Sequence, residues 1–243
     1  MIAVTLVRRE MREGRVNMEL NDTIRTTFAA RDYTGEELPD EILYDILETA
    51  RFAPSGGNRQ GNRVIIVRDQ ATKDCISDLN IPAVKRYVAQ VKAGENPWNV
   101  VVPMKVSDAE IEATEPASLL TEPFKTASVV LVFLVDLKVV ASVDQYLDRI
   151  GIISGASIYP FVWNVLLLAR QAGYGGSITT LAVTQEPAMR ELLAIPDNFG
   201  VCAVVPLGKP VKQLTKLRRL SVGEIATCES FDGAAFEKLQ GEN

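Results

Sequence analysis

The chain has 243 residues, 47% of them hydrophobic, with a formal net charge of −5 and a pI near 5.0. This length and apolar content suffice for one large domain or two small ones. The acidic balance and the lack of long Lys/Arg runs argue against nucleic acid as a partner. Apolar runs such as 129–135 are too short to span a membrane, and Arg8 and Arg9 follow the N-terminal apolar segment, so we expect no signal peptide and a cytoplasmic location.

The sequence contains no histidine, which excludes Ser-His-Asp, Cys-His and HExxH chemistry. Its three cysteines, Cys75, Cys202 and Cys228, lie far apart without CxxC spacing, so reduced packing residues are predicted and no metal site is expected. A cofactor with its own reactive atom removes the need for an imidazole, because the protein then supplies only binding, orientation and electrostatics.

In chain order, residues 1–20 are an N-terminal extension of mixed charge, either disordered or lying on a partner, with no assigned function. Residues 39–53 carry apolar side chains at helical spacing, and 63–68 have the pattern of a buried strand. The segment between them, APSGGNRQGN (53–62), is longer than the two to six residues that such a connection needs.

Residues 80–123 are only weakly periodic and are predicted to be a lid or excursion from the core. Glycine, proline and one tryptophan interrupt this stretch: Pro82, Gly94, Pro97, Trp98, Pro103, Pro116 and Pro123. Trp98 and Phe124 are interpreted either as lid aromatics over a substrate or as core residues.

The strongest strand is SVVLVFLVD (128–136), an apolar run predicted to be buried on both faces. Residues 150–172 are apolar almost all round a helix, which predicts a central helix packed on every side, kinked or started at Pro160. A short helix over 186–194, a strand over 201–207 and a basic tail from 209 complete the chain. No repeat or linker divides it, so we predict one α+β domain.

The amide-rich loop suggests a ligand. Asn58 and Gln60 each place a donor and an acceptor on one planar group, which suits an edge of alternating C=O and N–H groups such as the pyrimidine edge of a flavin. Gly56 and Gly57 permit close approach to a flat ring, and Ser55 adds a hydroxyl. A surface loop rich in turn formers explains the same residues equally well.

Seven motifs in order resemble the nitroreductase family over roughly residues 21–232. They are RDY (31–33), APSGGNRQ (53–60), SGASIYPFVWNVLLLARQAG (154–173), GGSITT (175–180), ELLAIP (191–196), VVPLGKP (204–210) and RR (218–219). The resemblance implies a nitroreductase-like α+β fold, with a mostly antiparallel central sheet flanked by helices, a long buried central helix and an extended C-terminal arm.

The resemblance further implies a single FMN-binding domain over 21–243, with a lid at about 80–123, in a homodimer that binds two flavins at the subunit interface. NADH or NADPH would reduce the FMN and be replaced by a small acceptor, such as a nitroaromatic or a quinone, in a ping-pong cycle. The lid segment lacks the glutamate, tyrosine and lysine pattern of the iodotyrosine deiodinase branch, so dehalogenation is not predicted.

The site residues follow from matching the family's motifs. Ser55, Gly56, Asn58 and Gln60 match the flavin-contacting loop, and the segment Thr179, Thr180 and Leu181 matches the backbone that faces the reactive flavin nitrogen.

The family's phosphate-binding Arg-x-Ser-x-Arg pattern falls on Thr27, Ala29 and Arg31, so only its last member is retained. Losing an arginine and a serine contact weakens binding about a hundredfold or more. The residues expected to offset this loss at the phosphate are Arg25, Thr27 and the tail cluster Lys216, Arg218 and Arg219. At least one of Arg218 and Arg219 is expected to be a solvated surface charge instead. The weakened anchor leaves open an alternative, a non-catalytic flavin-binding carrier or sensor.

Asp144 and Asp148 are four residues apart and would share one face of a helix. Their expected role is a solvated surface pair, with catalysis a remote alternative.

Overall fold

The computed structural model describes residues 18–238, so all but the last three residues of the predicted N-terminal extension lie outside it. Four strands form one sheet: β1 (Asn62–Val67), β2 (Val129–Asp136), β3 (Gly175–Gly176) and β4 (Phe199–Gly208). Their order is β1-β2-β4-β3, and every neighbouring pair is antiparallel. This confirms the predicted antiparallel α+β architecture.

Eight α-helices surround the sheet within the described residues. They are α1 (Leu20–Thr26), α2 (Asp40–Ala50), α3 (Gln70–Lys92), α4 (Asp108–Glu112), α5 (Ser118–Thr126), α6 (Tyr159–Gln171), α7 (Glu186–Leu193) and α8 (Val222–Ile225). Single 3₁₀ turns cover Gly56–Asn58, Ile153–Ser157 and Leu181–Gln185.

Helices cover both faces of the sheet. On one face, α2 and α6 pack on the β2 residues Leu131 and Phe133. On the other, α3, α5 and α7 pack on Val130 and Val132. Because both faces are covered, β2 is an uninterrupted apolar run instead of an alternating one, as its sequence predicted.

The central helix is shorter than the predicted 150–172. It begins at Tyr159 with Pro160 in its first turn, where a proline costs no intrahelical hydrogen bond. The preceding residues 150–158 are apolar but lie outside the helix, and Ile152 is 66% exposed. Trp163 on α6 is 38% exposed, so the predicted packing on every side is not met within one chain.

The irregular excursion predicted over 80–123 is also shorter in the structure. Residues 80–92 continue α3, and α5 carries Phe124, which is 1% exposed, into the core. The periodicity of α3 is weak because its buried face includes polar side chains, among them Asn80 and Gln90. The connection 93–107 between α3 and α4 is the part of this stretch that remains irregular at length.

The chain from 209 to 238 forms the predicted extended C-terminal arm. It contains α8 and an isolated bridge between Thr227 and Ala235, and most of its side chains are exposed. Several large apolar side chains of the arm lie on the surface: Leu214, Leu220, Val222, Ile225, Phe231 and Phe236. No helix within 18–238 is long and apolar enough to cross a membrane.

Candidate functional site

The amide-rich loop has a constrained backbone. Gly57, Asn58 and Gln60 adopt left-handed φ angles of 60°, 53° and 50°. The N–H of Gln60 donates to Ser55 Oγ at 3.0 Å, and the N–H of Gly56 donates to Ser157 Oγ, also at 3.0 Å. Left-handed conformations at residues other than glycine persist only where the surroundings impose them, and they concentrate at functional sites.

The loop presents its amides outward. Asn58 and Gln60 are exposed, whereas Ser55 is partly buried. Ser55 and Gln60 line a cleft of about 420 Å³ together with Tyr44 of α2, Arg63 of β1 and Phe161 of α6. The loop is therefore a preformed, open polar edge beside the central helix.

A second cavity, of about 250 Å³, brings together four predicted site residues. Arg31, Thr179, Thr180 and Leu181 line it, although the arginine and the threonine segment belong to distant motifs. The rest of the wall is mainly aromatic and apolar, including Tyr87, Trp98, Leu120, Phe124 and Ile178. A mainly apolar wall with a few polar groups is typical of small-molecule sites.

Two contacts explain why these distant segments meet. Thr179 forms a bridge to Val204 of β4, with backbone hydrogen bonds of 3.1 and 2.9 Å. The N–H of Ala30 donates to the carbonyl of Gly176 at 3.1 Å, which ties the chain around Arg31 to β3. The buried Tyr33 hydroxyl lies 2.8 and 2.9 Å from the carbonyls of Ala30 and Pro206, and burial raises its pKa.

Four buried side-chain polar atoms of the described residues have no hydrogen-bond partner: Asn80 Oδ1, Trp98 Nε1, Ser177 Oγ and Thr179 Oγ1. The last three belong to residues that line this cavity, but the atoms themselves lie buried behind its surface.

The loop and this cavity lie on different parts of one chain. Ile65 of β1 pairs with Val132, which pairs with Val204, which is bridged by Thr179. At about 4.8 Å per step, Thr179 is about 14 Å from Ile65 across the sheet. The two clefts share no lining residue. Within one chain, the two segments predicted to contact a flavin therefore line separate clefts.

The predicted phosphate residues are not gathered at one point. Thr27 is 5% exposed, and its hydroxyl donates to the carbonyl of Thr23 at 2.7 Å. Arg25 is exposed on α1, and Arg218 and Arg219 are exposed in the arm, outside the cavity wall. Arg31 is the predicted anchor residue that lines the cavity.

The sequence did not indicate Arg86, Tyr87 or Ser177 as site residues. The Arg86 guanidinium lies 3.8 Å from the centre of the Trp98 ring, and Tyr87 and Ser177 line the cavity. Arg86 and Tyr87 were missed because the weak periodicity of α3 did not predict a helix there. Phe124 is a core residue, as one of its two interpretations predicted, and it also lines the cavity; its role as a lid aromatic stays a prediction.

The prediction that Asp144 and Asp148 share a helix face is wrong, because residues 144–148 form turns. Asp144 is 3% exposed and accepts hydrogen bonds from the N–H of Ile152 at 2.7 Å and from Arg149 at 2.8 Å. These contacts, the backbone one foremost, lower the pKa of Asp144 to about 2. Its role is to fix the loop before α6.

The fold is that of a three-layer α+β protein with a cavity beside the sheet, lined by Arg31 and by the segment Thr179, Thr180 and Leu181. The chain belongs to the nitroreductase family, whose model matches residues 24–209. A relative from Thermus thermophilus named NADH dehydrogenase is 27% identical over 195 residues, covering 80% of this chain and 88% of the relative.

Two solved structures illustrate the fold. Nitroreductase A from Vibrio parahaemolyticus is 18% identical with a TM-score of 0.61, covering 86% of this chain and 74% of that one. Iodotyrosine deiodinase bound to FMN and 3-iodo-L-tyrosine is 21% identical with a TM-score of 0.64, covering 88% and 100%. At these identities the likeness concerns the fold, and it confirms the nitroreductase fold predicted from the motifs.

Proposed function

We propose that this protein is an FMN-dependent oxidoreductase that takes hydride from NADH or NADPH and delivers it to a small acceptor such as a nitroaromatic or a quinone. Family membership supports this proposal, and the name of the Thermus relative supports a nicotinamide reductant. The observation that carries it is the cavity in which Arg31 meets the segment Thr179–Leu181.

The residues present fit a flavin. Thr179, Thr180 and Leu181 would lie against the ring, and Arg31 would pair with the phosphate, since charge-assisted contacts from arginine suit that group. Backbone N–H groups of the threonine segment would stabilise negative charge on the reduced ring. FMN, when bound, supplies the hydride-accepting and hydride-donating atom, so the chain needs no nucleophile of its own. The absence of histidine is consistent with this division of labour.

The proposal includes a homodimer in which each flavin lies between a cavity of one protomer and the Ser55–Gln60 loop of the other. The separation of about three strand spacings between Thr179 and Ile65 of β1, the strand that follows the loop, supports this, as do the separate clefts that the two segments line. The exposed Trp163 on α6 and the apolar side chains of the arm supply surfaces that a second copy would bury.

The test begins with the colour of the purified protein. We expect flavin absorbance, release of FMN on denaturation, and bleaching with NADH or NADPH under anaerobic conditions, followed by reoxidation with a quinone or a nitroaromatic. Bound flavin that stays oxidised would favour the carrier or sensor alternative, to which the missing anchor residues at Thr27 and Ala29 point. A colourless protein that does not bind added FMN would refute both the oxidoreductase and the carrier or sensor.

A further inference from the structure

The cavity beside the sheet has a deep side and an open side. Phe124 and Ser177, which are 1% and 2% exposed, belong to the deep side. Tyr87, Leu119 and Ile178 also line the cavity but are 38%, 63% and 37% exposed, so they mark the side that opens to solvent. We call these three residues the rim. A small molecule that enters the cavity passes the rim.

Tyr87 reaches the rim from the inner face of α3. It follows Ala83 by four residues and Val84 by three, and both of these residues are buried. Residues at these spacings share one face of a helix. The Tyr87 side chain therefore points from α3 toward the body of the protein, where its ring forms part of the cavity wall.

The Tyr87 hydroxyl is free to bind a ligand. Among the residues from 18 to 238, no group exchanges a hydrogen bond with it. By contrast, the hydroxyls of Tyr33 and Tyr174 lie 2.8 and 3.3 Å from backbone carbonyls. The side chains of Leu119 and Ile178 are apolar, so the Tyr87 O–H is the rim's one side-chain hydrogen-bond donor. An apolar rim with a single donor suits an aromatic ring that carries a carbonyl oxygen.

We propose that Tyr87 binds the electron acceptor of this protein, a quinone, and donates its O–H to one of the quinone's carbonyl oxygens. This inference rests on the proposed function and deepens it, because it names the acceptor class and the residue that recognises it. Thr180, the other exposed hydroxyl residue of the wall, belongs to the segment proposed to lie against the flavin.

The hydrogen bond has a role in the transfer as well as in binding. A quinone that takes up a hydride from the reduced flavin at one oxygen gains a negative charge on the other, and a proton from water then completes the hydroquinone. A donor held beside the second oxygen stabilises this charge as it forms. Removing the donor should therefore slow turnover more than it weakens binding.

The first test uses Tyr87→Phe, which keeps the aromatic ring and removes the hydroxyl. With menadione as the acceptor, kcat/KM should fall about ten- to a hundredfold, the magnitude of a hydrogen bond to a charged group. The Kd of menadione for the oxidised protein, measured by fluorescence without a reductant, should rise only about three- to tenfold. Ferricyanide takes up single electrons and no hydride, so its reduction should be nearly unchanged. Equal losses with both acceptors, or no loss with menadione, would overturn the proposal.

The second test asks whether the hydroxyl serves the fold or the flavin instead. FMN affinity and urea unfolding of Tyr87→Phe should match those of the unaltered protein, because the hydroxyl has no partner to lose within the described chain. Weakened FMN binding would show that Tyr87 contacts the flavin, and lowered stability would show a structural role; either result would overturn the proposal. Tyr146→Phe, the same change at a position 90% exposed and outside the cavity wall, sets the background.

The two proposals fail in different ways. If the unaltered protein binds no flavin, the proposed function fails and this inference fails with it. If flavin-loaded protein reduces ferricyanide but not menadione, or reduces menadione equally well with Tyr87→Phe, the oxidoreductase remains and the role of Tyr87 alone is removed.

Discussion

Arg31 is the retained member of the phosphate motif, and Arg25 was expected to compensate for the lost members, but the two arginines occupy different surroundings. Arg31 is half-buried in the cavity wall, whereas Arg25 is exposed on α1. Replacing Arg31 with alanine should weaken FMN binding about ten- to a hundredfold, the magnitude of a lost charge-assisted contact. Fluorescence titration of flavin-free protein measures this change.

Arg25→Ala is the matched control and should have a clearly smaller effect on FMN binding. Equal losses in the two variants would mean that the phosphate lies elsewhere than beside Arg31. Riboflavin affinity should be almost insensitive to both substitutions, because riboflavin has no phosphate.

Lowering the pH should destabilise the loop before α6, because it protonates Asp144. Its folded pKa of about 2 lies below the ordinary 3.8, so its stabilising contribution is complete above about pH 4 and is lost as the pH falls through 2. Asp144→Asn removes the charge, so the gap in unfolding free energy between the two proteins should narrow from pH 5 toward pH 2. Urea unfolding across this range measures the gap.

Asp148→Asn is the control, because Asp148 is exposed and lies in the same turn region. The pH dependence that this variant shows is the background against which Asp144→Asn is compared. A constant gap for Asp144→Asn would show that the hydrogen bonds to Asp144 do not depend on its charge.

Gly176 lets β3 approach β4. A Cβ atom there would lie 2.6 Å from the carbonyl oxygen of Pro206, and backbone cannot give way as a side chain can. Gly176→Ala should therefore lower the free energy of unfolding by about 1–3 kcal/mol. At Gly56 a Cβ would meet its nearest neighbour, Ser157 Oγ, at an ordinary 3.5 Å, so Gly56→Ala should change stability by less than about 0.5 kcal/mol.

Thermal or urea unfolding of the two alanine variants gives the comparison. Equal stability would show that β3 can move away from β4 at little cost. Since Gly176 precedes the cavity segment 177–181, flavin binding in Gly176→Ala should weaken along with stability.

The elements that could be predicted from the sequence are those whose apolar residues decide their burial. Strands β2 and β4 came within about two residues of their predicted ends, and helix α2 came within about three. Helix α3 was missed because its buried positions include polar side chains with specific partners. The Lys73 ammonium donates to the carbonyl of Ala127 at 2.9 Å, and the Ser77 hydroxyl donates to that of Thr121 at 3.0 Å.

The candidate site, too, could be predicted only in part from the sequence. Local motifs located Arg31 and the segment 179–181, but their meeting depends on the bridge from Thr179 to Val204 and on the tie from Ala30 to Gly176. The stacking of Arg86 on Trp98 required the full length of α3. Contacts between distant segments have no signature in the spacing of a single sequence.

At the scale of the whole molecule, a substitution in the C-terminal arm tests the proposed dimer. Ile225 of α8 is 69% exposed in one chain. In a monomer, Ile225→Lys would change stability by no more than about 0.5 kcal/mol. In the proposed dimer it buries a charge at the interface, so it should lower the dimer fraction and, with it, the retained flavin.

Sedimentation of the unaltered protein should give twice the 26.6 kDa mass of one chain. Val91→Lys, at a position 51% exposed on α3, provides the control and should leave the mass unchanged. A monomeric unaltered protein that still retains flavin would contradict the shared site.

The separation of about three strand spacings between Thr179 and Ile65 of β1, the strand that follows the loop, also has a consequence for genetic complementation. If every reaction centre draws its cavity from one protomer and its loop from the other, a lesion in either half inactivates a homogeneous population. Co-expressing the two defective forms then yields mixed pairs in which one centre combines both lesions and the other contains neither. Such rescue distinguishes lesions in opposite halves from two lesions in the same half, which cannot complement each other.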